Sequence, residues 1–335
     1  MRFLPLELVK EGYVVGLPIY DNYGNTLVNK GFKLTNTSII RLKEKGISAI
    51  SIEDVISKGI ETYDNISQKI TKSSIKHLQN LDLDKTMKDA NRIVDEIIEC
   101  DEVYEYFNNK TFDNYTYEHS IAVSTYATMM GLACGFNLEE VRKLAIAGIL
   151  HDIGKKCIND NILQKPSKLT DEEYEKIKQH SSLGYNMIKY NTNLPATVKI
   201  VILEHHENED GSGYPRHLKS NDIYKFSKIV HIVDVYDALI SNRPYKKPMN
   251  PKDAIDYIIK NTGTMFDEKY VNIFVQVIPS YPKGSVVKLT NGEKAIVLKN
   301  IKENIHKPIV RILNTKKVIK LYEMNDLDIL EKLNE

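Results

Sequence analysis

The sequence predicts a mainly α protein, with a helical domain flanked by small β-rich N- and C-terminal modules. Three observations carry this expectation. Apolar residues recur at helical spacing from about residue 60 to 275. Short apolar stretches between turn residues occupy residues 1–55 and the region after Pro279. Cap and stop residues stand where the helical pattern begins and ends.

Taken in order, residues 1–55 form the first module. Gly12, Gly16 and Pro18 punctuate it, and Asp21-Asn22-Tyr23-Gly24-Asn25 reads as a hairpin turn. Thr37 to Lys45 is expected as a short helix stopped by Gly46, and Ile47 to Ile52 as a strand. Residues 56–110 are a helical connecting segment, with a long, interrupted helical stretch between Glu61 and Asn109. The main domain, 111–280, is expected to hold helices near 116–134, 139–153, 171–189, 195–207, 222–241, 251–261 and 267–278. Thr170-Asp171-Glu172-Glu173 fits a capping box, and Asn250-Pro251 an N-cap followed by proline at the first helical position. In 281–335, Val286 to Leu289, Ala295 to Leu298 and Ile309 to Ile312 read as strands, with Asn291-Gly292 as a turn.

Composition excludes several function classes. Lys plus Arg is 46 and Asp plus Glu is 45, so nothing suggests a protein that coats a nucleic acid polymer. No apolar run approaches the ~18 residues of a membrane span. Met1 to Tyr20 carries Glu7, Lys10 and Glu11, unlike a secretory signal. Cys100, Cys134 and Cys157 are widely spaced with no CxxC pair, so a cytoplasmic protein with free thiols is expected. Lys283 to Lys320 holds ten Lys or Arg against Glu293 and Glu303. That reads as a solvated β surface, with attraction of an acidic partner or an anionic substrate as the sharper alternative.

Histidine is more telling. His119 lies in register with Val123, Ala127, Met130 and Cys134 and so faces the core. Val141, Leu144, Ala145 and Gly148 form a stripe running into His151 and Asp152. His180 continues a stripe through Ile177, Gly184 and Met187; His205 and His206 follow Val198, Val201 and Ile202; Asp234 follows Ile223, Phe226 and Val230. A lone inward histidine is usually a hydrogen-bonded core residue. Five helices turning imidazoles and carboxylates to one interior would be costly unless something coordinated them. A metal cluster does so, and mixed imidazole and carboxylate donors suit iron, manganese or zinc.

His151-Asp152-Ile153-Gly154-Lys155 resembles the signature of HD-domain phosphohydrolases. His205-His206-Glu207, Asp210-Gly211-Ser212-Gly213-Tyr214-Pro215, Asp234-Val235-Tyr236-Asp237-Ala238-Leu239 and Arg243-Pro244-Tyr245 resemble the HD-GYP subfamily, over about 110–278. The resemblance implies a helical HD-GYP domain that hydrolyses cyclic di-GMP to linear pGpG, with GMP as a further product left open. It implies metal ligands His119, His151, Asp152, His180, His205, His206 and Asp234, with Asp152 bridging two ions, usually iron or manganese. It places Asp152 and Lys155 at the reacting phosphate, and Tyr214, Arg243 and Lys246 on the substrate. Members with three metals carry glutamate four residues before the first ligand histidine; this chain has Tyr115, so two ions are expected. The rival readings are another cyclic dinucleotide as substrate, and a non-catalytic adaptor that binds cyclic di-GMP. The sequence leaves a homodimer or a signalling-protein partner open.

Overall fold

The computed structural model describes residues 1–335 except 21–25, 48, 61–67, 101, 106–114, 164, 166, 242–247 and 334–335. The side chains of Tyr20, Gln68, Lys69 and Tyr115 also lie outside the described residues. The N-terminal module contains β1 (Arg2–Pro5), β2 (Val14–Val15), β3 (Ile19–Tyr20), β4 (Thr26–Val28), α1 (Asn36–Glu44) and β5 (Ala49–Glu53). Its three-stranded antiparallel sheet runs β1-β5-β2, with Leu4 opposite Ile50 and Val15 opposite Ile52. β3 and β4 pair antiparallel, which supplies both arms of the expected hairpin; its turn at 21–25 is outside the described residues. α1 opens on a capping box in which Thr35 and Ser38 exchange side-chain and backbone bonds.

The helical part comprises α2 (Gln68–Gln79), α3 (Leu83–Ile98), α4 (Tyr115–Ala133), α5 (Leu138–Leu150), α6 (Asp160–Leu163), α7 (Asp171–Lys178), α8 (His180–Ile188), α9 (Ala196–Glu204), α10 (Lys225–Ile240), α11 (Pro251–Lys260) and α12 (Glu268–Val277). One apolar core joins α2 to α12 and includes Ile93, Met130, Leu144, Ile149, Val201, Phe226 and Phe274. α4 and α5 pack backbone to backbone: a Cβ on Gly148 would lie 2.9 Å from Cα of Ser124.

Several boundaries differ from expectation. Of the interrupted helical stretch expected to reach Asn109, α3 ends at Ile98 and residues 102–105 are not helical; residues 106–109 lie outside the described residues. Glu105 is instead buried against the C-terminal sheet, where its carboxylate accepts from the Lys283 N–H (2.7 Å) and Asn300 Nδ2 (2.7 Å). The single helix expected at 171–189 breaks at Gln179, between α7 and α8. The helix expected to reach residue 153 ends at Leu150 and passes into a 3₁₀ turn, Ile153–Cys157. α7 has the expected Thr170–Glu173 capping box. α11 has Pro251 at its start, but the Asn250 side chain makes no cap bond and turns its amide toward Asp253 at 3.5 Å.

The C-terminal module is an antiparallel sheet of β6 (Val286–Leu289), β7 (Lys294–Ile301), β8 (Asn304–Ile312), β9 (Val318–Lys320) and β10 (Ile329–Leu333), in the order β10-β6-β7-β8-β9. Its basic stretch meets acids from elsewhere. Lys299 reaches Glu102 (2.8 Å), Lys307 reaches Asp328 (3.5 Å) and Lys320 reaches Glu323 (2.9 Å). The sheet module also packs on the N-terminal module and on the stretch just after it: a Cβ on Gly284 would lie 3.2 Å from Cα of Arg2, Ile60 joins Val286 and Ile296 in an apolar cluster, and the Arg311 guanidinium donates to the Ile56 carbonyl at 2.7 Å.

Candidate metal centre

Three of the histidines sit at helix C-termini, and this is what aims them. The last four carbonyl groups of a helix have no intrahelical partner. His151 follows α5, and its Nδ1 lies 2.7 Å from the Gly148 carbonyl oxygen. His180 follows α7, with Nδ1 2.6 Å from Ile177 O. His205 follows α9, with Nδ1 3.0 Å from Ile202 O. In each case Nδ1–H donates to a spare carbonyl, so the lone pair falls on Nε2 and points away from the helix. His119 and Asp234 lie inside α4 and α10 and face inward by periodicity, as expected.

These elements converge. His119 Nε2 is 2.9 Å from Asp234 Oδ1 and 3.8 Å from Asp152 Oδ2. His151 Nε2 is 3.3 Å from Asp152 Oδ2 and 3.8 Å from Asp234 Oδ1. His180 Nε2 is 3.4 Å from Asp152 Oδ1 and 3.1 Å from His205 Nε2. His206 Nδ1 is 3.9 Å from Asp234 Oδ2. The backbone tightens this arrangement at Gly154, where any Cβ would collide with the His180 carbonyl oxygen and the Gly184 nitrogen.

The donor set fits a divalent cation. The ligand atoms within each of three groups lie within 4.8 Å of one another: His180, His205 and His206; His119, His151 and Asp152; and His151, His205 and Asp234. His151 Nε2 and Asp152 Oδ1 are buried and make no hydrogen bond. Burial holds His180 down to about 4 and holds His205 and His206 well below their ordinary value, so these imidazoles are neutral near pH 7. Burial pushes the Asp152 carboxyl up, but Lys155 and His151 outweigh it and hold it well below the usual carboxylate range. Asp234 is likewise raised by burial and then held low by His119, which lies closest to it, and by the other imidazoles beside it. Neutral imidazoles and ionised carboxylates at closely spaced positions are the forms that bind metal.

Lys155 Nζ lies 2.5 Å from Asp152 Oδ2; its side chain is 24% exposed against 2% for the aspartate, so the ammonium marks the open side. Tyr214 stacks on His206, with centroids 4.7 Å apart and planes at 27°. Arg243 and Lys246 lie outside the described residues, as does the side chain of Tyr115.

The loop carrying Tyr214 is held by groups that sequence reasoning did not assign. Glu207, 2% exposed, accepts from the backbone N–H groups of Arg216 (2.6 Å) and Leu218 (2.9 Å). Glu204 accepts from the Arg216 guanidinium at 2.8 Å. His231 Nε2 donates to Asn208 Oδ1 at 3.0 Å. A Cβ on Gly213 would strike the Asn208 nitrogen and the His206 carbonyl oxygen. Asp237, 1% exposed, was also unassigned; its Oδ2 lies 2.7 Å from His119 Nδ1. His231, Asp234 and Asp237 follow one another at steps of three on α10, a spacing that puts them on one face.

A helical bundle that gathers imidazoles and carboxylates from helix ends and from the interiors of α4 and α10 defines a candidate metal centre. A family model described as an HD domain matches residues 97–270. The chain belongs to the HD domain family. It is 40% identical over 205 residues to a Pseudomonas aeruginosa protein named cyclic di-GMP phosphodiesterase PA4108, covering 61% of this chain and 49% of that one. It is 32% identical over 159 residues to the Vibrio cholerae protein named 3'3'-cGAMP-specific phosphodiesterase 2, covering 47% and 30%. The fold resembles that of Bd1817, an HDG"Y"P protein from Bdellovibrio bacteriovorus, with a TM-score of 0.53 and 16% identity over 81% of this chain and 97% of that one. The chain spans about half the length of the curated relatives it matches. Among the described residues, no helix is long and apolar enough to cross a membrane.

Proposed function

We propose that the chain is a metal-dependent phosphodiesterase of the HD-GYP type that hydrolyses cyclic di-GMP to linear pGpG. The observation that carries this reading is the placement of Asp152, with one carboxylate oxygen near His119 and His151 and the other near His180. Two histidine sets meeting on one aspartate suit two ions, iron or manganese, held by His119, His151, Asp152, His180, His205, His206 and Asp234. Divalent ions bound there would lower the pKa of water and neutralise phosphate charge. Lys155, fixed on Asp152 at the open side, would offer positive charge or a proton to the leaving oxygen. Tyr214 would line the mouth, and Arg243 and Lys246 would grip phosphate. The likeness to a relative named for cyclic di-GMP supports this substrate, and a cytoplasmic setting is part of the same proposal.

A second reading, 3'3'-cGAMP as substrate, is favoured by the relative named for that nucleotide. Anaerobic purification with metal analysis, followed by chromatography of products from several cyclic dinucleotides, tests both. Preferred cleavage of cyclic di-GMP supports the first reading. A fully loaded protein that cleaves none of them would leave a binding adaptor.

A further inference from the structure

His119 is oriented by different means from its neighbours. At His151, His180 and His205 the nitrogen turned away from the cluster donates to a carbonyl freed by a helix end. His119 sits inside α4, where carbonyl oxygens are engaged in the helix ladder. Its Nδ1 instead lies 2.7 Å from Oδ2 of Asp237, a residue 118 positions away on α10. One turn earlier on α10, Asp234 Oδ1 lies 2.9 Å from the other ring nitrogen, Nε2. A single turn of one helix therefore holds both nitrogens of a histidine on another. Asp237 is 1% exposed, and Ser241 Oγ donates to the same carboxylate oxygen at 3.2 Å.

The two kinds of partner are chemically unequal. A backbone carbonyl offers a partial negative charge, whereas a carboxylate offers a full one in a buried setting. It draws the Nδ1 proton more strongly, fixes the tautomer with Nε2 unprotonated, and makes Nε2 a better electron donor.

We propose that Asp237 is a positioning residue for the metal centre, acting through His119 to raise the affinity of the ion held by His119, His151 and Asp152. This rests on the metal-centre reading. Asp237 touches neither that ion nor the substrate. In the group of His180, His205 and His206, backbone carbonyls orient His180 and His205, and Asp237 touches none of the three, so an ion held there does not depend on it. An aspartate that merely staples α10 to α4 would affect stability but not metal affinity.

The test is a Co²⁺ titration of the metal-stripped full chain, read by calorimetry and by cobalt visible absorption, comparing wild type with Asp237→Asn. The amide keeps the shape and removes the charge. One equivalent should bind as in wild type, and the other about 10–100-fold more weakly with an altered spectrum. Two unchanged equivalents would overturn the proposal and leave the metal centre standing. A wild-type chain that takes up no Co²⁺ would overturn both. Should the variant fail to fold, histidine-ring ¹⁵N correlation on the Zn²⁺-loaded wild type decides instead. A Nδ1-protonated His119 with a strongly downfield proton supports the proposal, and an Nε2-protonated ring refutes it.

Discussion

His180 and His205 face each other nitrogen to nitrogen, Nε2 to Nε2, across 3.1 Å in the buried interior. Two protons cannot fit in that space. Burial accordingly holds His180 down to about 4 and His205 well below its ordinary value. His231 is also held to about 4 by burial. A lowered folded-state value means that the unfolded chain takes up protons first as pH falls. The metal-free protein should therefore keep this stability above pH 6.5 and lose it progressively between 6.5 and 4. Because Glu105 pulls the other way in the same range, urea midpoints of chelator-treated Glu105→Met check this, and a flat profile in that variant would count against it.

Glu105 predicts the opposite slope. Burial raises its carboxyl to about 7, against the pull of its Asn300 and Lys283 hydrogen bonds. Its contribution is fully present below the ordinary value of 4.5 and is lost as pH rises through 7, by about 3 kcal/mol. Glu105→Met should be less stable overall, because the Lys283 N–H loses its bond to the carboxylate and the Asn300 amide keeps only its bond to the Tyr281 carbonyl. Relative to wild type, its denaturant midpoint should nonetheless lose a decline between pH 4.5 and 7. Retention of that decline would assign it to another group.

His151→Ala with Asp152→Ala should abolish bound metal and turnover while leaving the far-ultraviolet helical signal. Metal analysis and circular dichroism on the same preparation provide the check. Wild-type turnover of cyclic di-GMP by the double variant would falsify the site assignment.

Gly154→Ala should be among the most damaging single-methyl additions in the chain. The new Cβ meets main-chain atoms of His180 and Gly184, which cannot rotate aside. Overpacking of this kind costs about 1–3 kcal/mol where side chains can adjust, and more is expected here. A thermal midpoint equal to that of wild type would show that α8 can slide.

Glu207→Ala should free the Tyr214 loop. It leaves two backbone N–H groups unmet, each worth about 1–3 kcal/mol if still buried. Substrate KM should rise more than kcat falls, because the variant retains every proposed metal ligand. A kcat collapse at unchanged KM would place Glu207 in the chemistry instead.

How much of this was legible depended on where each residue sits in its helix. His119 and Asp234 lie inside long helices, and a 3.6-residue stripe points them inward correctly. The same stripe led to His151, His180 and His205, but the helices stop beside these residues, and spare carbonyls rather than periodicity aim the rings. The break at Gln179 was hidden because apolar spacing continues across it, although Met187, counted on the inward stripe, is 40% exposed. Asp237 carried a readable signal, its step of three from Asp234. Glu207 stood out only as part of the His205-His206-Glu207 block; its role was hidden, since its partners are amides of its own returning loop. The flanking sheets showed in alternation and turn residues, but nothing in a linear pattern reports that Glu105 is buried against Asn300.

The contact between the two flanking modules bears on how this chain can be re-engineered. Val286 and Ile296 owe part of their cover to Ile60, and Arg311 is tied to the Ile56 carbonyl. The modules are thus not interchangeable beads on a string. A chimera whose foreign N-terminal piece runs through residue 60 would uncover an oily strip on the far sheet and would self-associate. A successful graft must transplant both modules together.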